Sequence, residues 1–222
     1  MHHLIFQATG EDENSVIPYA QSGDFVKALM SFDAEDLDMG ESEVSSELFL
    51  LKKICELKKW PVSGDYPRFY ISQKVEVTLT RKNKAFCRVL NARSHETLEP
   101  LSMEGLQEAI NACFKQVASW KTNAQAFMKQ VFELYSEFRS SDGAPVALAD
   151  LYQALYHQKP GYRREHFGLD LNHCLNSGLT RNQSHYLSVI PATSRQGQSF
   201  YVFDTTGTGQ WVDQIAFLPL ES

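Results

Sequence analysis

Ten side chains from Leu106 to Phe138 recur at alternating steps of four and three: Leu106, Ile110, Cys113, Val117, Trp120, Ala124, Phe127, Val131, Leu134 and Phe138. Only a helix places residues at that spacing on one face. Any fold of this chain must therefore cover an apolar helical stripe, roughly 50 Å long if unbroken at 1.5 Å per residue. Ile110, Val117 and Val131 share one heptad position and Leu106 and Leu134 the other, a division that suits a two-stranded coiled coil. The flanks argue instead for a helix packed into its own core. Phe114, Met128 and Tyr135 widen the apolar face, and Ala109, Gln116, Asn123 and Gln130 supply no charged pairs to steer a partner helix. Lys121-Thr122-Asn123 holds good N-cap residues and marks a place where the rod could divide in two.

Before the stripe, Leu48, Leu51, Ile54 and Leu57 predict a helix over 46–60 that Pro61 stops. Residues 69–91 alternate as a β-hairpin, with Ile71, Val75, Val77 and Leu79 on one side, a turn at 81–84 and a return strand over 85–90. After the stripe, Ser140 to Pro145 carries a boundary signal. A tail of two helices, near 146–157 and 164–176, leads into strands over 187–193 and 199–204. The expected fold is α+β. A mixed N-terminal part (1–142) holds an acidic leader (1–45), a basic hairpin (69–93) and a long amphipathic helix (103–139), and a small winged-helix-like module (145–222) follows.

The net charge of −6 is unevenly spread. Residues 1–45 hold ten acids and one base, Lys27, hence −9, and the rest is +3. Cys55, Cys87, Cys113 and Cys174 are scattered, which argues against a zinc ribbon and a disulfide framework. Met1 to Phe6 is too short and polar for a signal peptide, and no apolar run reaches membrane-spanning length. A cytoplasmic protein without membrane contact is expected.

Three chemistries compete. In the hairpin, Lys74, Arg81, Lys82, Lys84, Arg88 and Arg93 face a single acid, Glu76, with Phe69, Tyr70 and Phe86 among them. Clustered bases suit phosphates and aromatic faces suit unpaired bases. In the tail, Thr180 could cap a short recognition helix carrying Arg181, Asn182, Gln183 and His185, with Arg195 at a wing tip, although residues 180–192 could equally be one strand. Arg, Asn and Gln are the side chains that pair bidentately with guanine and adenine edges. His166, Asp170 and His173 recur at i, i+4 and i+7, where two imidazoles and a carboxylate can hold zinc or iron, with His157 or His185 completing the set. No P-loop, GxSxG or dinucleotide fingerprint is present. Gly207-Thr208-Gly209 reads as a hairpin turn rather than a phosphate loop, and Glu56-Leu57-Lys58 lies on a helix where the ExK nuclease pattern wants a strand.

The expected function is a non-catalytic subunit of a larger assembly, associated with nucleic acid or acting as an adaptor, with no cofactor. A protein partner or a second copy is expected, and nucleic acid is a candidate partner. The alternatives are a metal-dependent hydrolase built on His166, Asp170 and His173, and a module that binds protein alone.

Overall fold

The structure is a computed structural model that describes residues 46–80, 83–182, 185–193 and 198–220. All described elements lie in one compact unit, Val44–Ser222. The fold is α+β, with two antiparallel sheets among the described residues.

Helix α1 (Ser46–Lys58) leads into the first sheet, ordered β1 (Val62–Ser63), β2 (Arg68–Ile71), β3 (Val75–Thr80), β4 (Lys84–Val89) and β5 (Glu96–Leu98). Helix α2 (Met103–Ala118) closes it. The period-two pattern puts Val75, Val77, Ala85, Cys87 and Val89 on the face that meets Leu51 and Ile54 of α1 and Leu106, Ile110 and Cys113 of α2. The stretch expected as one strand over 69–80 is two. Ser72 and Gln73 both adopt left-handed φ, 49° and 56°, and fold Val75 back opposite Ile71. Neither residue is the Gly or Asn that marks such a turn, and the only trace of it in the chain is the polar run Ser72-Gln73-Lys74, where the alternation lapses.

The helix expected over 103–139 is also two. Ser119 caps the end of α2, and α3 (Ala124–Phe138) starts at Asn123, whose side chain accepts the Ala126 N–H at 3.0 Å. The break lets one stripe serve two cores. Leu106 to Val117 enter the first, Ala124 to Leu134 enter the second, and Trp120 lies half-buried between them. Eight of the ten stripe side chains are buried in these cores and only Phe138 is exposed, which leaves no continuous apolar seam on α2 and α3. The two cores divide between Val117 and Ala124. Residues 140–145 connect α3 to β6, tied down by the Tyr135 hydroxyl donating to the Ala144 carbonyl at 2.9 Å.

The second core continues with β6 (Val146–Ala147), α4 (Leu148–Gln158), α5 (Arg164–Asn176), β7 (Arg181–Asn182), β8 (His185–Pro191), β9 (Phe200–Phe203) and β10 (Gly209–Pro219). Strand β10 lies between β6 and β8, and Ile215 faces Val146 on one side and Val189 on the other. The recognition helix expected near 180–185 is replaced by strands. Arg181 and Asn182 pair with Tyr186 and His185. The reason is at the end of α5: Gly178 takes φ 68°, and Leu179 donates back to the Cys174 carbonyl at 3.0 Å, so the chain leaves in an extended direction. The strands over 187–193 and 199–204 were expected to pair with each other. Both pair with β10 instead, whose eleven residues take β8 along Val212–Pro219 and β9 along Gly209–Val212.

Candidate functional site at the junction of the two sheets

Helix α5 is where the two sheets meet, and ten of its thirteen residues are buried. Isolated Gly168 explains how close the approach is: a Cβ there would lie 2.3 Å from the Asn91 amide nitrogen. Asn91, at the end of β4 with φ 67°, uses its side chain as a piece of backbone. Its amide donates to the Tyr201 carbonyl at 3.0 Å and accepts the Tyr201 N–H at 2.7 Å. Asn172 accepts the Phe203 N–H at 2.7 Å. The two asparagines thus satisfy backbone groups of β9 that would otherwise be buried without partners. Arg164 donates to the Asn91 carbonyl at 3.1 Å and to the Ser199 carbonyl, and lies 4.0 Å over the Phe200 ring. Burial, with Arg93 nearby, pulls its guanidinium down to about 10, so it stays charged at neutral pH. Tyr70 stacks on Tyr201 at 4.1 Å, and burial pushes its hydroxyl pKa up.

Of the His166, Asp170 and His173 face, His166 Nδ1 and both Asp170 oxygens are committed at this junction. His166 Nδ1 accepts the Arg163 N–H at 3.1 Å, closing the first turn of its own helix, and its ring stacks on Trp120 at 3.9 Å. Asp170 accepts the Trp120 indole N–H at 3.0 Å and the Tyr162 hydroxyl at 2.9 Å, one on each oxygen. Burial, opposed by Glu165 and Asp170, lowers the His166 pKa. Burial and the Asp170 carboxylate raise that of Tyr162. His173 points to solvent. Among the described residues no group of three or more His, Cys, Asp or Glu side chains could hold a metal ion. The face is a packing and hydrogen-bonding surface, which helical spacing alone does not distinguish from a ligand set.

Beside it runs a cleft of about 180 Å³ between the β2–β3 turn, the end of α2 and the outer edge of α5. Lys74, Trp120, Thr122, His173 and Asn176 line it, and Asn176 donates across it to Gln73 at 2.7 Å.

Two of the hairpin's basic residues are paired with carboxylates. Arg88 is bidentate on buried Glu76 at 2.8 and 3.1 Å, and Lys84 pairs with Glu99 at 2.7 Å. Lys74, Arg93 and Arg181 are exposed and Asn182 is half-buried, while Arg81, Lys82, Gln183 and Arg195 lie outside the described residues. The aromatic faces of the hairpin are used as well. Phe69 is in the first core, Tyr70 is against Tyr201, and Phe86 meets His95 edge-on at 4.9 Å. The turn Asp204 to Thr208 is a hairpin connection, as expected. The Asp204 carboxylate accepts the Thr206 and Thr208 N–H groups, and Thr206 above all holds its pKa down.

Sequence reading missed the pins, Asn91, Trp120, Tyr162 and Asn172. The signal available for them was Gly168, a lone glycine inside a helical pattern, which marks a close approach. Seven large apolar side chains are exposed among the described residues, and Phe49, Leu57, Val62 and Tyr66 fall within α1 and the strand and loop after it, among Lys52, Lys58 and Lys59. No described helix is long and apolar enough to cross a membrane. Comparison of the chain with protein-family models, with curated proteins and with solved structures finds no match.

Proposed function

We propose that this chain is a non-catalytic adaptor subunit whose C-terminal part is a winged-helix-type module turned inward. The order α3, β6, α4, α5, β8, β10, with β10 between β6 and β8, is compatible with that topology. The observation that carries the functional reading is the burial of α5. In a DNA reader of this type the last helix before the wing enters the major groove. Here that helix spends ten of thirteen residues on the chain's own junction and leaves only His173 and Asn176 exposed, with Leu169 half-buried against the first core. The nucleic-acid reading loses further support because Lys84 and Arg88 are paired with carboxylates. The hydrolase reading has less still, since His166 and Asp170 already hold partners. The apolar and lysine-rich outer side of α1 is the surface that favours protein contact.

The test is photo-cross-linking of the full chain in its own cells, with the reactive group in place of Phe49 and, as control, of exposed Glu133. A discrete protein adduct from position 49 and not from 133 supports the adaptor reading. Adducts to nucleic acid, or duplex binding that weakens steeply with salt and is lost in Arg181→Glu, overturn it.

A further inference from the structure

Cys87 on β4 and Cys113 on α2 hold their sulfur atoms 3.8 Å apart inside the first core, both as free thiols. Cys87 is 1% and Cys113 7% exposed. We propose that this pair is a reactive dithiol that a small hydroperoxide converts into an intramolecular disulfide joining β4 to α2.

The Cys113 sulfur attacks one peroxide oxygen, the O–O bond breaks, and Cys113 becomes a sulfenic acid while the other oxygen leaves as water with the thiol proton. The Cys87 sulfur then attacks the Cys113 sulfur. The S–S bond forms, the S–O bond breaks, and the second oxygen leaves as water with the Cys87 proton. Two thiols lose two electrons in all, and one hydrogen peroxide becomes two waters. The assignment of roles follows from position and charge. The 3.8 Å contact with Cys87 lowers the Cys113 pKa below that of an ordinary thiol. Cys87 is held protonated by that contact and by burial, with Glu96 beside it. The more thiolate-like sulfur is also the nearer to solvent, which is the combination that favours oxidation. Burial this deep excludes a bulky peptide disulfide and leaves a small hydroperoxide as the oxidant that fits the residual exposure at Cys113. The sulfurs must close from 3.8 Å to a bond length of about 2.05 Å, a change within reach of side-chain rotation. Neither Cys55 nor Cys174 has such a neighbour: Cys174 donates to the Ala124 carbonyl, and burial raises the pKa of both.

The full chain is treated with hydrogen peroxide under native conditions and analysed by intact mass and non-reducing peptide mapping. The expected product is lighter by two hydrogens, carries a peptide linking Cys87 to Cys113, melts higher than the reduced chain and reverts with dithiothreitol. In Cys87→Ala the resolving sulfur is gone, and dimedone traps a sulfenic acid at Cys113. Oxygen addition without a cross-link in the wild-type chain, a cross-link through Cys55 or Cys174, or no reaction while folded each overturns the proposal.

Discussion

At the scale of single residues, the junction depends on Asn91 and the glycine it lies against. A methyl group at position 168 would press on the Asn91 amide, whose two bonds to Tyr201 leave it no room to move. Gly168→Ala is expected to lower unfolding free energy by about 1–3 kcal/mol, measured by urea denaturation. The loss should shrink in the Asn91→Ala background, because the two sites are coupled. His166 carries a pH dependence. In the unfolded chain its imidazole takes a proton near the ordinary value of about 6.5, while in the fold burial keeps it neutral to lower pH. The unfolded state therefore binds more protons in that window. The stabilising contribution of neutral His166 is complete above about pH 6.5 and declines as the pH falls toward the folded value. Thermal midpoints across this range should fall less in His166→Gln than in the wild type. The histidine was visible in the sequence as part of a polar helix face. Its role was not, because Trp120 and Arg163 meet it from other elements or from the chain ahead of its helix.

At the scale of elements, most helices were legible because 3.6-residue periodicity is a local property. Helices α4 and α5 fall where the apolar spacing puts them. The break in the long stripe needed more than periodicity, since the apolar register continues from Val117 through Trp120 to Ala124 without a miss. Asn123 supplies the local part of the break as N-cap, and the second core supplies the rest. Asn123→Ala is expected to cost about 1 kcal/mol of stability and Asn123→Asp very little, as read by thermal or urea unfolding. The β2–β3 turn failed to show for the opposite reason. Ser72 and Gln73 adopt left-handed backbone without a glycine, and the local pairing of Ile71 with Val75 together with the distant hydrogen bond from Asn176 to Gln73 holds them there. Residues 180–185 carry side chains suited to a groove-reading helix. The backbone direction set by Gly178 makes strands of their described part.

At the scale of the whole described unit, two hydrophobic cores are joined by polar pins and by the Tyr70, Leu90 and Phe203 contact rather than by one continuous core. The pins bury polar atoms that would be costly without each other, so the two sheets should open together. Native-state hydrogen exchange across a urea series is expected to give Val77 in β3 and Ile215 in β10 the same opening free energy. Asn91→Ala should separate them, with one core opening first. Equal values in the variant would mean that the cores are coupled by other contacts. The proposed adaptor function rests on the same arrangement, in which α5 has ten of its thirteen residues buried between the two sheets.

Local chemistry alone accounts for the α+β class, the amphipathic helices, the acidic bias of residues 1–45 and the absence of a membrane-length apolar run, since each is a property of neighbours in the chain. Which strand meets which, where the stripe divides and which charges are spent are properties of distant pairs: Asn91 with Tyr201, Trp120 with Asp170, Arg88 with Glu76. A lysine or histidine reads the same in a sequence whether it faces solvent or a carboxylate. Only packing brings the second group within hydrogen-bond distance, and that contact separates a binding face from a buried joint.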